Sequence, residues 1–231
     1  MIYLDNAATT RPHPQVLDKV QLCLSENFGN PSSTYPLGVK ARRVIDAARK
    51  SLANIFNVPQ AGVIFCGSGT ESDNLALKGI LGSPQRITGR LITTRLEHSA
   101  VIKTAEWLEQ RGTTIDFVQI DPQTGQVDLN HLEELVQPET RLVSIQHVNS
   151  ETGIIQDLCA ISKTVKKKNP QTFIHSDGVQ AFSKFSIDLQ LLRIDFYSIS
   201  GHKFHGIKGA GALIMNRKTP LEAIIHGGGQ E

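Results

Sequence analysis

The feature that most constrains the fold of this chain is a regular alternation of short β-rich runs with helical patterns. The β-rich runs are GVIFC at 62–66, RLITT at 90–94, IDFVQI at 115–120, RLVSIQHV at 141–148, TFIHS at 172–176, IDFYSIS at 194–200 and GALIMN at 211–216. Helical patterns lie between several of them, at 70–81, 99–111, 128–136 and 157–168. Strands that alternate with helices of this length form βαβ units. The sequence therefore predicts an α/β fold with a mostly parallel, seven-stranded sheet sandwiched by helices.

Two further helices are predicted before the alternation begins. Apolar residues recur at helical spacing between 14 and 26, and again from about Val39 to Asn57, where Pro59 would end the helix. The length of 231 residues suits one large domain, or one domain and part of another.

Composition and charge argue against several classes of protein. Lys and Arg number 24 and Asp and Glu 22, so the net charge of +2 does not favour a nucleic-acid or membrane partner. The chain opens MIYLDNAATT, which is not a signal peptide, and it nowhere reaches about 18 consecutive apolar residues. Its three cysteines, Cys23, Cys66 and Cys159, form no Cys-x-x-Cys pair. We therefore expect neither a disulfide framework nor a zinc ribbon, and we expect a reducing, cytoplasmic location.

Polar residues follow five of the predicted strands, at the point where each strand ends. They are Gly67 to Ser72, His98, Asn149, Asp177 with Gln180, and Ser200 to Lys203. Ligands of open parallel sheets bind beyond the carboxyl ends of the strands, so these groups should meet at one edge.

GSGTES at 67–72 has the form of a phosphate-binding loop, because it follows a strand and opens a helix. It lacks the lysine of a Walker loop, and Ser72 stands where a dinucleotide fingerprint has its third glycine. Taken alone, the segment is equally well explained as an ordinary capped helix start, with Glu71 near the positive end of the helix dipole.

Asp177, in HSDGVQ at 175–180, follows an apolar run that would bury it. A buried carboxylate must be paired with a cation or strongly hydrogen-bonded. Two other interpretations remain open on these residues alone: a metal site shared with His175, and a simple Asp-Gly turn.

Lys203, in SGHKFHG at 200–206, is predicted to lie on a loop at the edge of the sheet. Burial and neighbouring charge there would lower its pKa and make it a usable amine nucleophile. A lone lysine on a loop is more often a surface residue. His202 and His205 have the spacing of a metal pair, but no third ligand follows at a sensible distance, so we expect no metal site.

Together these segments supply a phosphate site, a buried acid and an activated lysine on neighbouring strand ends. Pyridoxal 5′-phosphate needs all three: a phosphate site, a carboxylate opposite its ring nitrogen, and a lysine that forms a Schiff base. His98 would then be positioned to stack on the ring or to move protons. The combination predicts a pyridoxal phosphate enzyme.

The motifs in these segments resemble those of the cysteine desulfurases. The matching segments are YLDNAATT at 3–10, FGNPSS at 28–33, GSGTES at 67–72, LEHSAV at 96–101, VNSETG at 148–153, HSDGVQ at 175–180, SGHKFHGIKGAGAL at 200–213 and HGGGQE at 226–231. They occur in the family's order along the whole chain. The family is class V aminotransferase-like, and the resemblance implies the fold-type-I pyridoxal phosphate architecture.

The resemblance also implies roles for individual residues. Lys203 would form the Schiff base with the cofactor, and Asp177 would pair with the nitrogen of its ring. Gln180 and Asn149 would bond near the phenolic oxygen of the ring. His98 would stack on the ring and shuttle protons.

Further implied roles concern the phosphate and the substrate. The phosphate-binding residues would be Gly69, Thr70, Ser200, Gly201 and His202. Asn30 would lie near the substrate carboxylate. In the family's reaction, L-cysteine displaces the lysine, its α-carbon loses a proton, and an enzyme thiolate attacks the substrate sulfur. The products are L-alanine and an enzyme persulfide, which feeds iron–sulfur cluster assembly or tRNA thiolation through a sulfur-acceptor or scaffold protein; the family also implies a homodimer.

Two departures from the family's pattern affect what we expect. Tyr35 stands where the family commonly has a histidine. The printed sequence stops at HGGGQE, where the family continues to a threonine that reaches the partner subunit's phosphate and then to a second domain with the persulfide cysteine and a carboxylate-binding arginine. We therefore expect residues 1–14 to belong to a largely missing small domain and 15–231 to form the cofactor domain.

Such a chain would bind the cofactor without full turnover. Cys66 is the nearest candidate for a substitute thiol, but a buried cysteine commonly behaves as a small apolar residue, and Cys23 and Cys159 suit helix packing. The alternatives are a non-catalytic, cofactor-binding or dimerisation fragment, a decayed remnant, and a nucleotide-binding Rossmann domain. The last is disfavoured because no acidic residue ends a second strand about 20 positions after the glycine-rich turn.

Overall fold

The computed structural model describes residues 2–82, 88–216, 219 and 221–229. The helices are α1 (Pro14–Ser25), α2 (Pro36–Phe56), α3 (Gly69–Leu81), α4 (Ser99–Glu109), α5 (Leu129–Leu135), α6 (Leu158–Lys168) and α7 (Leu189–Leu192). The strands are β1 (Val63–Cys66), β2 (Arg90–Thr93), β3 (Thr114–Phe117), β4 (Thr140–Ser144), β5 (Phe173–Asp177), β6 (Phe196–Ser200) and β7 (Gly211–Met215). Short 3₁₀ helices lie at Gln60–Gly62 and Gly201–Lys203. Every predicted helix and strand is present, and α7 and the two 3₁₀ helices are additional.

The seven strands form one sheet in the order β1-β7-β6-β5-β4-β2-β3. Strands β2 to β6 pair in parallel, whereas β7 is antiparallel to both of its neighbours, β1 and β6. Strands β1 to β6 therefore all run in one direction, and β7 runs in the other. The predicted, mostly parallel sheet is confirmed, and five of the strands present their carboxyl ends, with the polar segments that follow, at the same edge.

Apolar side chains cover both faces of this sheet, as a parallel sheet requires. Neighbouring residues of one strand enter different clusters because side chains alternate between the faces. On β6, Phe196 lies in one cluster and Tyr197 in the other; on β4, Leu142 and Val143 divide in the same way. All four are fully buried, so slipping either strand by one residue would exchange its two faces.

Helix α2 shows how local chemistry sets an element's limits. It begins at Pro36, three residues before the predicted start, because a proline at the first helical position needs no acceptor for its nitrogen. It ends at Phe56 because Asn57 adopts the left-handed conformation, with φ of 54°. Pro59, which we expected to end the helix, lies beyond that turn.

The longest helix lies on the surface and buries only part of its length. Helix α2 has 21 residues, and those that are buried are Gly38, Ala41, Ala53 and Phe56. None of the helices in the described part of the chain is long and apolar enough to cross a membrane.

Candidate active site

A cavity of about 430 Å³ opens at the edge where the strands end. Its lining comes from the chain's first residues and from the segments that follow five strands. The lining residues are Asp5, Ala7, Ala8, Ser68, Gly69, Thr70, Asp73, His98, Gln146, Val148, Ser150, Asp177, Val179, Gln180, Ser200, His202 and Lys203. Eight of the predicted site residues are among them: Gly69, Thr70, His98, Asp177, Gln180, Ser200, His202 and Lys203. The volume lies in the range typical of sites for small molecules and cofactors.

One wall of the cavity is the N-terminus of α3. Ser68 caps the helix, and its Oγ accepts a hydrogen bond of 3.0 Å from the N–H of Glu71. The N–H groups of Gly69 and Thr70 belong to the first turn, so the helix itself offers them no acceptor. A Cβ at Gly69 would lie 2.7 Å from Val179 Cγ2 and 3.3 Å from Ser200 Cβ. Only glycine fits this close approach, and the resulting concave surface at a positive helix end suits an anion.

Asp177 is the last residue of β5 and lies 8% exposed at the floor of the cavity. Its Oδ1 accepts a hydrogen bond of 2.9 Å from the N–H of Val179. Burial raises the pKa of Asp177 to about 7, and Asp73 adds to this, whereas the Val179 N–H and the nearby His175 and His98 lower it. The burial predicted from the sequence is confirmed. A carboxyl group in this position gains most from a cationic partner in the cavity.

The next residue, Gly178, must be a glycine because its backbone lies against the ring of Tyr197. A Cβ at Gly178 would lie 1.9 Å from Tyr197 Cε1. The Tyr197 hydroxyl is 2.7 Å from His147 Nδ1, and the backbone N–H of His147 donates to the Asp177 carbonyl at 2.9 Å. This packing fixes the backbone that presents the Asp177 carboxyl group.

His98 caps the N-terminus of α4 and lines the cavity. Its Nδ1 accepts a hydrogen bond of 3.1 Å from the N–H of Ala100. In a neutral ring the other nitrogen, Nε2, therefore carries the hydrogen. The cap orients the ring and leaves the Nε2–H group available as a hydrogen-bond donor.

Lys203 ends the short 3₁₀ helix that follows β6. Burial lowers the pKa of Lys203 below that of a free lysine, Lys184 adds to the lowering, and Asp177 and Asp5 act in the opposite direction. Its Nζ donates to the carbonyls of Ala7 and, at 3.0 Å, Ala8. The predicted lowering is confirmed in direction, and its cause is chiefly desolvation.

The N-terminal segment is hydrogen-bonded to the lysine loop, which sequence reasoning did not anticipate. Thr10 donates through its N–H and its hydroxyl to the His202 carbonyl, at 2.8 and 2.9 Å, and its Oγ1 accepts from the His205 N–H at 2.7 Å. Thr9 Oγ1 lies 3.0 Å from His202 Nδ1, and Gln180 Nε2 donates to the Ala7 carbonyl at 2.8 Å. The YLDNAATT motif marked this segment by resemblance only; its contacts join residues more than 170 positions apart. Its assignment to a small domain stays a prediction.

Two further acids lie buried beside Asp177. Asp73 projects from α3 and is 1% exposed; Glu97 precedes His98 and is 8% exposed. Glu97 Oε1 accepts hydrogen bonds of 3.0 Å from the Gln146 N–H and from the Thr94 hydroxyl. A carboxyl oxygen of Asp73, a carboxyl oxygen of Asp177 and a ring nitrogen of His98 all lie within 4.8 Å of one another. Acid groups packed so closely suit a cation in the cavity better than an anion.

His175, which we considered as a metal ligand with Asp177, is engaged elsewhere. Its Nδ1 is 2.8 Å from the Ser144 hydroxyl and its Nε2 is 3.0 Å from the Ser198 hydroxyl. Burial lowers the pKa of His175 to about 4, so the ring is neutral at physiological pH. Both ring nitrogens are thus committed to hydroxyl groups of the neighbouring strands.

These buried groups make the stability of the fold depend on pH. Burial raises the pKa of Asp73 to about 7 and of Glu97 to about 8, as it does for Asp177, and lowers the pKa of His147 and His175 to about 4. Each acid binds its proton more tightly in the folded state, so its stabilising contribution is lost as pH rises through 7 to 8. The two buried histidines have lowered pKa values, so their contribution to stability increases with pH, but only up to the ordinary histidine pKa of 6.5. The free energy of unfolding should therefore fall from pH 6.5 to pH 8.

We predict that Glu97→Gln makes this decline shallower, because glutamine has no proton to lose. The measurement is urea unfolding of the cofactor-free chain at a series of pH values between 6.5 and 8. The exposed Glu134→Gln is the matched control and should keep the slope of the parent chain. An unchanged slope in Glu97→Gln would contradict the assignment.

Three of the predicted site residues do not line the cavity. The side chain of Asn149 bonds within its own loop and to the segment before α4: its Oδ1 accepts from the N–H groups of Glu151 and Thr152, and its Nδ2 donates to the Leu96 carbonyl at 3.1 Å. Gly201 is buried between Ser200 and His202, and Asn30 accepts from the Ser32 N–H at 2.9 Å. Their roles toward cofactor and substrate stay predictions.

The cysteines and Tyr35 also lie away from the lining. Cys66 is 9% exposed, and Cys23 and Cys159 are partly exposed. Among the residues that the structure describes, no cysteine and no arginine lines the cavity. Tyr35 is the N-cap residue of α2 and is 55% exposed.

The residues present fit pyridoxal phosphate on three separate observations. The α3 N-terminus, made concave by Gly69, suits the phosphate. The carboxyl group of Asp177 suits a protonated ring nitrogen, and Lys203 supplies a primary amine of lowered pKa. All three lie on one cavity of suitable size.

Comparison with known proteins identifies the family and the fold. The family described as aminotransferase class-V matches residues 2–231. A cysteine desulfurase IscS of Clostridium botulinum (strain Kyoto / Type A2) is 37% identical over 230 residues, which cover all of this chain and 57% of that protein. A solved NifS-like protein superposes with a TM-score of 0.95 at 38% identity, covering 99% of this chain and 62% of its own. A structure of SspA in complex with cysteine gives 0.94 at 34% identity, covering 100% and 66%.

These similarities confirm the predicted architecture and the resemblance to cysteine desulfurases. The chain spans 57% to 66% of the length of the three proteins compared.

Proposed function

The chain belongs to the class-V aminotransferase family, and on that premise we propose that it binds pyridoxal 5′-phosphate and takes part in a cysteine desulfurase reaction. One observation carries the proposal: Lys203, Asp177 and the α3 N-terminus, which follow different strands, line a single cavity. No one of these segments would identify a cofactor. Their meeting around one cavity favours pyridoxal phosphate over a nucleotide, which needs no amine, and over a metal ion, which needs no anion site.

The chain's own residues would hold the cofactor at both ends. Gly69 and Thr70 supply backbone N–H groups for the phosphate, beside the side chains of Ser200 and His202. Asp177 lines the same cavity, and its carboxyl group accepts from the Val179 N–H, so we propose it as the partner of the ring nitrogen. Bound in this way, pyridoxal phosphate would supply an electron sink for negative charge on the substrate α-carbon.

Lys203 and His98 are the groups that can move protons in the cavity. The desolvated amine of Lys203 is more easily deprotonated than a free lysine, and only the neutral amine is a nucleophile. The carbonyls of Ala7 and Ala8 hold that amine in place before any reaction. His98 keeps Nδ1 as the hydrogen-bond acceptor at the helix cap, so in the neutral ring Nε2 carries the hydrogen and can act as a donor. For Nε2 to take up a proton, the ring would first have to move its hydrogen to Nδ1 and give up the cap.

We propose L-cysteine as the substrate and L-alanine as the carbon product. Two relatives support this choice: IscS is named a cysteine desulfurase, and the SspA structure is described as a complex with cysteine. The resemblance places Asn30 near the substrate carboxylate, and that role belongs to the same proposal.

Sulfur transfer needs a thiol that the described lining does not contain, since no cysteine lines the cavity in the part of the chain that the structure covers. We therefore propose that residues 1–231 provide the cofactor chemistry and that the accepting thiol comes from outside this lining. We also propose that the chain forms a homodimer. A partner protein would take the sulfur for iron–sulfur cluster or thio-cofactor synthesis.

A second candidate function is a fragment that binds cofactor without turnover. The lack of a lining arginine or cysteine among the described residues favours it, because the substrate carboxylate and the sulfur both lack a charged or nucleophilic partner. The two candidates share cofactor binding and differ in whether alanine is formed.

The test combines absorption spectroscopy with product analysis. Purified protein mixed with pyridoxal phosphate should develop the visible band of the lysine-bound cofactor; a chain that stays colourless and retains no cofactor would exclude both candidates. L-Cysteine is then added together with dithiothreitol, whose thiols can accept the sulfur in place of a protein thiol, and alanine is measured by mass spectrometry. Alanine in stoichiometric or larger amount supports the desulfurase, and a visible band without alanine supports the non-catalytic fragment.

A further inference from the structure

Asp73 is a carboxyl group at a position of α3 that otherwise carries apolar residues. It shares the buried stripe of the helix with Ala76, Leu77 and Ile80, and it is 1% exposed. A carboxylate in such surroundings needs hydrogen-bond donors or a cation, or it must hold its proton. The donors within reach of Asp73 therefore decide its state.

The neighbouring donors are largely committed to one another. His175 lies between the hydroxyls of Ser144 and Ser198, at 2.8 and 3.0 Å. Ser72 Oγ lies 2.7 Å from Ser198 Oγ and 3.0 Å from the Ala212 carbonyl. Ser198 also hydrogen-bonds to the Asp73 carboxyl group, which lowers the pKa of Asp73 and partly offsets the effect of burial. None of these hydrogen bonds reaches Asp73 Oδ1.

Asp73 Oδ1 is accordingly buried without a hydrogen bond from any residue that the structure describes. The ring nitrogen His175 Nε2 lies 3.5 Å away, which is too far for a good hydrogen bond. A carboxyl oxygen of Asp177 lies within 4.8 Å of Asp73. Two ionised carboxylates this close, away from water, would repel strongly, so a site of this kind favours one proton for two acids.

We propose that Asp73 and Asp177 form a carboxyl pair that shares one proton at neutral pH, and that Asp73 is a positioning residue for the cofactor site. The pair holds one proton in total, as an O–H bond on one carboxyl group while the other stays ionised, so the total charge stays at minus one. When Asp73 holds the proton, the negative charge lies on Asp177, which lines the cavity and would pair with the ring nitrogen of the cofactor. The role toward the cofactor rests on the proposed function, whereas the shared proton does not.

Other titratable groups surround the pair, and the test must distinguish their titration from that of Asp73 and Asp177. They are His175 on β5, Glu97 and His98 before α4, Tyr197 on β6 and Lys203 after it. Burial keeps His175 neutral and raises the pKa of Tyr197 well above 10, so neither changes charge near pH 7. Glu97 does titrate in this range, with its pKa raised to about 8, and a measurement specific for aspartate is needed.

Infrared spectroscopy of the cofactor-free chain, labelled with carbon-13 in the aspartate carboxyl groups, provides that measurement. The label shifts the C=O band of a protonated aspartate away from that of Glu97. We expect the parent chain to retain about one protonated aspartate at pH 7, when exposed aspartates are ionised. Asp73→Asn should remove this band and lower the pH at which Asp177 loses its proton by roughly one pH unit or more.

A second variant, Asp177→Asn, tests the same coupling in case Asp73→Asn fails to fold. Asp177→Asn should lower the pH at which Asp73 titrates, since coupling between two acids acts on both. Asp18→Asn, which changes an exposed aspartate on α1, should leave the band and its midpoint as in the parent chain. Absence of a protonated aspartate at pH 7 in the parent chain, or an unchanged midpoint in both folded pair variants, would overturn the proposal.

A second measurement tests the positioning role. The dissociation constant of pyridoxal phosphate is measured between pH 6 and 9 for the parent chain and for Asp73→Asn. We expect the pH dependence of the variant to move to lower pH, in step with its infrared midpoint; a profile identical to the parent's would overturn the positioning role. If the parent chain binds no cofactor, the proposed function fails, and the infrared result still decides the shared proton.

Discussion

Lys203→Ala should abolish the visible absorption band that develops when pyridoxal phosphate is added to this chain. The band requires a covalent bond between the cofactor aldehyde and an amine. Lys203 is the lysine among the residues lining the cavity in the described part of the chain, and Lys184, which lies near enough to lower its pKa, is not in that lining. We expect complete loss of the band, and no cofactor attached after borohydride reduction and mass spectrometry.

Two matched variants separate the chemistry from the charge. Lys203→Arg keeps a cation at the same position but has no amine for the bond, so it should also be colourless. Lys208→Ala removes an exposed lysine five residues further along and should leave the band intact. A band of parent intensity in either Lys203 variant would show that another amine carries the cofactor.

The parts of the site that follow strands could be predicted because their position depends on topology alone. Once the alternation of strands and helices predicts a parallel sheet, the residues after β1, β2, β5 and β6 must meet at one edge. Gly69, His98, Asp177 and Lys203 were found in this way, and each lines the cavity. No knowledge of side-chain packing is needed for that step.

The contribution of the N-terminus could not be predicted by the same reasoning. Ala7 and Ala8 reach the cavity because the first residues hydrogen-bond to the loop around Lys203, nearly 200 positions later. Such contacts obey no local period, and small residues that bind through their carbonyls leave no chemical signal in a sequence. Only the motif around them marked the segment.

Asp73 and Asn149 show where residue type alone gives no answer. No role for Asp73 followed from the sequence, and the structure places it on the buried stripe of α3 with Ala76 and Leu77. Asn149 was expected near the cofactor ring because it follows a strand and because the resemblance implies it; its amide bonds to Leu96, Glu151 and Thr152, and its role toward the cofactor stays a prediction. An amide at a strand end can serve either purpose, and only the geometry decides between them.

Asp177→Ala should weaken pyridoxal phosphate binding by about 10² to 10³-fold, which corresponds to roughly 3 to 4 kcal/mol. Removing one partner of a buried, hydrogen-bonded charge pair commonly costs 2 to 5 kcal/mol, because the other charge is left without compensation. Here the partner would be the protonated ring nitrogen, and Asp177 is only 8% exposed, so water cannot take over its role. The measurement is the dissociation constant of the cofactor at pH 7, by equilibrium dialysis.

Asp177→Asn distinguishes the charge from the local fold. Asparagine keeps an oxygen that can accept from the Val179 N–H, so the turn after β5 is retained while the negative charge is lost. We expect Asp177→Asn to bind the cofactor nearly as weakly as Asp177→Ala and to unfold at nearly the parent's urea concentration. Asp18→Ala, at an exposed aspartate on α1, should bind as the parent does. Parent affinity in Asp177→Asn would mean that the carboxylate holds the loop and does not pair with the ring, and the electrostatic account of the site would have to be replaced.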